Sequence, residues 1–201
     1  MNELNRIDTE GQRFAWREAG SGTPVVFLHG IGALSQGWHT QLDHFGTQYR
    51  SIAWDAPGYG GSGDLAAVSP NAGDYGDALA ALMTALDIES AYLVGNSLGA
   101  LMAAGFWRRH PARVRAMVLS DAATGQGRAR PDVQERASRR RRDPLAELGP
   151  AGVAAERAVH LVAPGTDPEI LAEVRDGMAA IRPNGYRQAT LMLAYSDIND
   201  E

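Results

Sequence analysis

The chain contains 201 residues, a length that accommodates one large domain or a core with a modest insertion. Hydrophobic residues make up 44% and charged residues 21%, which excludes a wholly disordered chain and a fibrous repeat. The net charge of -5 argues against nucleic acid as the main partner, and the absence of cysteine excludes disulfides, a thiol nucleophile and thiolate metal ligands.

Targeting and cofactor signals are absent from the sequence. No stretch approaches the roughly 20 apolar residues that cross a bilayer, and the start, MNELNRIDTEG, lacks the apolar segment of a secretory signal. We therefore predict a cytoplasmic protein with no membrane partner. We also predict no cofactor and no metal, because no histidine pair has the helical spacing of ligands. The four consecutive arginines at 139–142 could bind phosphate or an acidic partner, but we favour a solvated helix face.

The first half of the chain alternates short β-rich runs with helical patterns, which is typical of a mostly parallel sheet with helices on both faces. We predict strands at 3–8, 12–18, 24–28, 49–54, 91–95 and 114–120, with the first two paired at one edge. We predict helices at 35–45, 74–86 and 97–109, the second capped by Asp74. Beyond residue 127 the patterns indicate helices only, at 131–142, 144–162, 168–181 and 184–195. The chain thus divides into an α/β core (1–124) and a helical cap (125–201).

The sequence GNSLG at 95–99 lies between a predicted strand and a predicted helix and matches the Gly-x-Ser-x-Gly nucleophile elbow. A sharp turn from strand to helix strains the serine backbone, and the flanking glycines let neighbouring elements approach closely. The turn exposes the Ser97 oxygen beside the backbone N–H of Leu98, at the positive end of the helix dipole. We predict Ser97 as the nucleophile and Leu98 as one oxyanion donor.

The second oxyanion donor is expected in the loop HGIG at 29–32, which follows the strand at 24–28. Ile31 is the candidate for this donor. His29 could instead act as a general base, but it precedes the nucleophile and lies in the turn that shapes the loop, so we favour a structural role. The glycine-rich stretch at 55–63 lacks the Lys-Ser/Thr ending of a phosphate loop and the glycine order of a dinucleotide site. We interpret it as a structural turn.

Three motifs, FLHGIG at 27–32, AWDAPGYGGSG at 53–63 and VGNSLGA at 94–100, carry a resemblance to the α/β-hydrolase fold family. Within this family the chain resembles capped bacterial members such as 3-oxoadipate enol-lactonases and related esterases. The resemblance implies an α/β-hydrolase fold, with Ser97 as nucleophile and the N–H groups of Ile31 and Leu98 as the oxyanion hole. It implies a lid after about residue 125, and a small-molecule ester or lactone substrate that is cleaved through an acyl-enzyme.

The triad of this family runs Ser, then Asp or Glu, then His, because a serine hydroxyl needs an imidazole to take its proton. After Ser97 the sequence contains only His110 and His160. His110 lies at the far end of the helix that Ser97 begins, about 20 Å away at a rise of about 1.5 Å per residue. Asp121 and His160 have the right order but are weak candidates, because in the family the acid and the histidine usually follow later strands.

We therefore expect the chain to be the amino-terminal part of a longer hydrolase, with the last strands and helices of the core absent. The strand at 114–120 would then present an apolar edge that is prone to aggregation.

Other functions stay open at this point. One is hydrolysis of a carbon–carbon bond in a vinylogous diketone, since such family members often have an elbow like GNSLG. Another is a binding module that keeps the pocket without a working triad. A haloalkane dehalogenase is disfavoured, because its nucleophile would be an aspartate and residue 97 is serine. The sequence does not specify the oligomeric state.

Overall fold

The computed structural model describes residues 2–9 and 11–200. Within these ranges six strands form one sheet in the order β1-β2-β4-β3-β5-β6, parallel except for the β1-β2 and β2-β4 pairs. The strands are β1 (Leu4–Thr9), β2 (Gln12–Ala19), β3 (Pro24–Leu28), β4 (Arg50–Asp55), β5 (Ala91–Asn96) and β6 (Val114–Ser120). The predicted mostly parallel sheet with an antiparallel pair at one edge is confirmed.

Helices cover both faces of this sheet. They are α1 (His39–Phe45), α2 (Ala72–Ala85), α3 (Leu98–Arg109), α4 (Pro131–Arg157), α5 (Pro168–Ala179) and α6 (Pro183–Tyr195). Successive strand residues point to opposite faces, so Val26 and Leu28 pack with α2 and α3, whereas Val25 and Phe27 pack with α1. None of the described helices is both long and apolar enough to span a bilayer.

Strand β6 lies at the open edge of the sheet and, within the described residues, pairs only with β5. Its side chains are poorly covered: Val118 is 59% exposed and Leu119 is 38% exposed. Tyr92 of β5, on the same face as α1, is 37% exposed. The apolar edge expected from the sequence is therefore present, and the helical cover on the α1 face ends before β6.

Several helix boundaries differ from the sequence prediction, two of them for a clear local reason. The N-cap of α2 is Asn71 rather than Asp74, because the two side chains form a reciprocal capping box in which each accepts the other's backbone N–H. The first helix beyond the core continues through Pro144 and breaks at Gly149, which has φ 66° and ψ 177°. A residue before proline is pushed out of the helical region, and glycine reaches this positive φ without steric cost.

Helices α4 to α6 pack around a second hydrophobic cluster, formed by Leu145, Val153, Ala154, Ala158, Met178, Ile181 and Tyr186. The other half of α6 belongs to the sheet core, where Ala189, Met192 and Leu193 are buried. The chain enters this helical layer and leaves it at adjacent points. Gly125 forms an antiparallel bridge with Asp197, and Ile198 donates to the carbonyl of Thr124 at 2.8 Å.

Candidate active site

Ser97 occupies the turn between β5 and α3 with φ 50° and ψ -110°. A non-glycine residue at such a φ costs about 1–3 kcal/mol and persists only where its surroundings hold it. Here the Ser97 N–H donates to the carbonyl of Ser120 at 3.0 Å, and its carbonyl accepts from the N–H groups of Ala100 and Ala123 at 3.0 and 3.1 Å. The strained turn is therefore fixed from both the helix and the end of β6.

The glycines on either side of Ser97 are required by backbone contacts. A Cβ atom on Gly95 would lie 2.5 Å from the carbonyl oxygen of Gly99. A Cβ atom on Gly99 would lie 2.1 Å from the carbonyl oxygen of Leu28, at the end of β3. The start of α3 is thus pressed directly against two strands, which places Ser97 at their carboxyl ends.

The loop after β3 lies immediately beside the nucleophile candidate. A Cβ atom on Gly30 would be 3.4 Å from the Cβ of Ser97. Ile31 is in a turn and Leu98 is the first residue of α3, and neither backbone N–H has an acceptor among the described residues. Leu98 directly follows Ser97, and Ile31 directly follows Gly30, so both free donors belong to the backbone segments that meet at Ser97.

His29 is buried and both of its ring nitrogens are engaged. Nδ1 lies 2.8 Å from the carbonyl oxygen of Gly30, and Nε2 accepts from the N–H of Ala56 at 3.0 Å. These partners place the proton on Nδ1, and burial lowers the pKa of the ring, so His29 is neutral. It therefore orients the loop that carries Ile31 and has no free nitrogen with which to act as a base.

The glycine-rich stretch at 55–63 is held as a turn by the buried carboxylate of Asp55. Its two oxygens accept from the backbone N–H groups of Ser35 at 2.9 Å and of Gly61 at 3.0 Å. Ser62 donates its hydroxyl to the carbonyl of Asp55 at 2.6 Å and accepts from the N–H of Ala15. These contacts agree with the structural role expected for this stretch.

The structure does not bring the triad candidates Ser97, Asp121 and His160 into contact. Asp121 directly follows β6 at φ 45°, and its neighbours Ser120 and Ala123 hold the Ser97 backbone. His160 is exposed in the 3-10 turn after α4. Within residues 2–9 and 11–200 no hydrogen bond or ion pair links Ser97, Asp121 and His160. His110 instead lies 2.9 Å from a carboxylate oxygen of Asp77.

One side chain near the nucleophile was not singled out from the sequence. The Oδ1 atom of Asn96 lies 3.1 Å from the position that a Cβ atom on Gly30 would take. The Nδ2 atom of Asn96 lies 3.5 Å from the carbonyl oxygen of Ser120. The position of Asn96 directly before the serine could have indicated a residue of the site. The direction of its side chain could not be predicted, because it depends on how the loop after β3 packs.

Residues 23–171 match the alpha/beta hydrolase fold family. The chain belongs to this family. Its fold is also that of solved hydrolases: a thermophilic esterase from Thermogutta terrifontis has a TM-score of 0.85 and 25% identity over 98% of this chain and 75% of that one. The enol-lactonase from Burkholderia xenovorans LB400 has a TM-score of 0.81 and 22% identity over 98% of this chain and 76% of that one.

Among curated relatives, 2-hydroxy-6-oxo-6-phenylhexa-2,4-dienoate hydrolase from Comamonas testosteroni is 38% identical over 109 residues, which is 52% of this chain and 38% of the relative. The chain spans 38% to 45% of the length of the curated relatives it matches.

Proposed function

We propose that the chain carries the nucleophile, the oxyanion hole and the cap (residues 125–201) of a serine hydrolase that cleaves a small carboxylic ester or lactone. The observation that supports this most directly is the strained turn at Ser97, which lies against the loop after β3 and is followed by Leu98, whose N–H is unpaired among the described residues, as is that of Ile31 in the loop. Such donors act on charge that develops only in the transition state, where each contributes about 3 kcal/mol.

In the proposed reaction the Ser97 oxygen attacks the carbonyl carbon, and the carbonyl oxygen becomes an oxyanion held by the two N–H groups. Collapse of this intermediate expels the alcohol oxygen, which takes a proton, and leaves an acyl group on Ser97. Water then attacks the acyl group, releases the carboxylic acid and returns the proton to serine. The proton carrier must be an imidazole other than His29. Among the described residues His160 has the right order in the chain but is exposed and makes no contact with Ser97, so it stays a weak candidate.

A fluorophosphonate probe tests this proposal, because it modifies only activated serines. We expect the chain to be labelled at Ser97, and a Ser97→Ala variant to lose labelling while keeping its far-UV circular dichroism. A folded chain that stays unlabelled would contradict activation of Ser97 by the residues of this chain and favour the binding-module alternative. His160→Ala, compared with His110→Ala as a control, assigns the base: a loss confined to His160→Ala would place it in this chain.

Hydrolysis of a carbon–carbon bond is the second candidate. The Asn96 amide beside Gly30 favours it, because it adds a polar group next to the oxyanion loop, and several relatives are named as hydrolases of oxo-dienoates. The test compares turnover of a 2-hydroxy-6-oxo-dienoate with turnover of a p-nitrophenyl ester. A higher kcat/KM for the dienoate that falls selectively in Asn96→Ala would favour this candidate over ester or lactone cleavage.

A further inference from the structure

Ser196, the residue after α6, is 5% exposed and joins three parts of the chain through hydrogen bonds. Its hydroxyl oxygen accepts from the N–H of Ala72, the first residue of α2, at 3.1 Å. Its carbonyl accepts from the N–H of Gly127 at 2.8 Å, and its own N–H donates to the carbonyl of Met192 in α6 at 2.8 Å. One residue thus links the start of α2, the end of α6 and the segment that follows β6.

Residues 123–127, which follow β6, connect this link to the turn at Ser97. The N–H of Ala123 donates to the carbonyl of Ser97 at 3.1 Å. The carbonyl of the next residue, Thr124, accepts from the N–H of Ile198 at 2.8 Å. Because these two bonds are made by adjacent residues, a displacement of the chain just beyond α6 also displaces the donor that holds the Ser97 carbonyl.

The start of α2 is fixed to α3, the helix that Ser97 precedes. A Cβ atom on Gly105 of α3 would lie 2.4 Å from the carbonyl oxygen of Ala72. One turn further along α2, a Cβ atom on Gly76 would lie 2.7 Å from the backbone nitrogen of Phe106. The backbones of the two helices therefore touch, and the hydroxyl of Ser196 is bonded to a helix that cannot move without α3.

These contacts form a closed ring. It runs from Ser97 along α3 to α2, across the Ser196 hydroxyl to residues 123–127, and back to the Ser97 carbonyl. A backbone held at φ 50° persists only where its surroundings fix it. We propose that Ser196 is a positioning residue for Ser97, because its hydroxyl keeps this ring closed. The inference rests on the proposed function, in which Ser97 is the nucleophile, and Ser196 itself touches no substrate.

A simpler role for Ser196 would be to cap α2, since the first N–H groups of a helix lack partners within it. Asn71 separates the two roles, because its side chain accepts from the N–H of Asp74 at 3.0 Å and makes no bond to the segment after β6 in the described chain. Asn71→Ala and Ser196→Ala each remove one acceptor at the start of α2, so both should lower the stability to a similar degree. Only Ser196→Ala should also affect the turn at Ser97.

Amide hydrogen exchange, measured by NMR on the full chain, reports on the turn without any chemistry at Ser97. We expect Ser196→Ala to raise the exchange rate of the Ala123 N–H about tenfold, under conditions where local opening dominates over global unfolding. Asn71→Ala should leave that rate unchanged. Ser196→Thr keeps the hydroxyl and should exchange at close to the wild-type rate.

Labelling of Ser97 by a fluorophosphonate gives a second readout, divided into the affinity of the initial complex and the rate constant of bond formation. A misplaced nucleophile slows the bond-forming step and not the binding step. We therefore expect Ser196→Ala to lower the rate constant about tenfold with unchanged affinity. Ser196→Thr should restore the rate constant, and Asn71→Ala should leave both quantities as in wild type.

Two outcomes would overturn the positioning role: an Ala123 exchange rate that is unchanged in Ser196→Ala, or one that rises equally in Asn71→Ala. If Ser196→Ala does not fold, Ser196→Cys keeps the side-chain volume but accepts hydrogen bonds weakly, and unchanged Ala123 exchange in that variant would overturn the role as well. The proposed function fails separately. A wild-type chain that stays unlabelled contradicts activation of Ser97, whereas equal labelling rate constants in wild type and Ser196→Ala contradict only the role of Ser196.

Discussion

The carboxyl ends of β3 and β5 and the open flank of β6 belong to one sheet but are built differently. At the carboxyl ends the backbone of α3 touches the strands so closely that a methyl group on Gly99 would overlap Leu28. Along the flank, Tyr92 and Val118 are 37% and 59% exposed and leave apolar surface open to solvent. At the carboxyl ends of the strands, even one added methyl group would clash with backbone. Along the flank of β6, larger side chains would fit, because no further strand of the described chain pairs with it.

Gly99→Ala is expected to have the largest effect, because it adds a methyl group where the nearest atom is backbone. We predict a loss of about 3 kcal/mol or more in the free energy of unfolding, measured by urea titration. Gly177→Ala is the matched control: it lies in α5 with nothing within 4 Å of the added Cβ, so it should stabilise by about 0.5–1 kcal/mol. Similar changes in the two variants would refute the close contact at the elbow.

Val118→Lys tests the open flank and should change association rather than folding. An unpaired edge strand with exposed apolar side chains favours contact between copies, so we expect the wild-type chain to self-associate in sedimentation velocity. The lysine should raise the monomer fraction, with a change in unfolding free energy within about 0.5 kcal/mol. Val68→Lys, at a 70% exposed loop position, should leave association as it was. An equal gain from both variants would mean that general charge, and not β6, controls it.

Glu135→Gln changes a residue of α4 that lies in neither of the two compared regions of the sheet. We expect it to have the smallest effect on the free energy of unfolding. The hydrogen bond from Arg139 lowers the pKa of the Glu135 carboxyl. A group whose pKa is lower when folded stabilises above its unfolded pKa and loses that contribution as the pH falls. The difference in urea midpoint between wild type and Glu135→Gln should therefore be larger at pH 7 than at pH 3. Glu147→Gln, on the same helix without an ion pair in the described residues, should show no such dependence.

The same contrast explains what the sequence could and could not predict. The elbow was predictable because its requirements are local: a strand, a serine and two glycines within nine residues, each forced by backbone sterics. The six strands were found within about two residues for the same reason, since buried strands are short and apolar. The break at Gly149 was missed, because the sequence does not show that the helix continues through Pro144 and is interrupted before Pro150. The N-cap at Asn71 was missed, because it depends on reciprocal hydrogen bonds between the side chains and backbone N–H groups of Asn71 and Asp74.

The different environments of the four consecutive arginines at 139–142 were not predictable, because the four residues look alike until helix packing separates them. Arg139 and Arg142 reach Glu135, whereas Arg141 is partly buried and has no ion pair among the described residues. The helical period can be predicted from the sequence. The rotation of α4 about its axis cannot, because it is set by contacts with α5 and α6. The roles of Ser97, Ile31 and Leu98 stay predictions that the labelling experiment tests.

The bridge between Gly125 and Asp197 means that the helical layer is a loop whose two ends are already closed. The entropy lost on bringing chain ends together grows only slowly with loop length. The segment between these two residues can therefore be lengthened, shortened or exchanged while the distance between its ends stays the same. The part of α6 that packs on the core resists such exchange: Met192 is buried in the sheet core, and a Cβ atom on Gly185 would lie 1.9 Å from the carbonyl oxygen of Gly58. The architecture thus separates the sheet core, which holds the strained turn at Ser97, from a helical segment whose sequence and length can vary more freely.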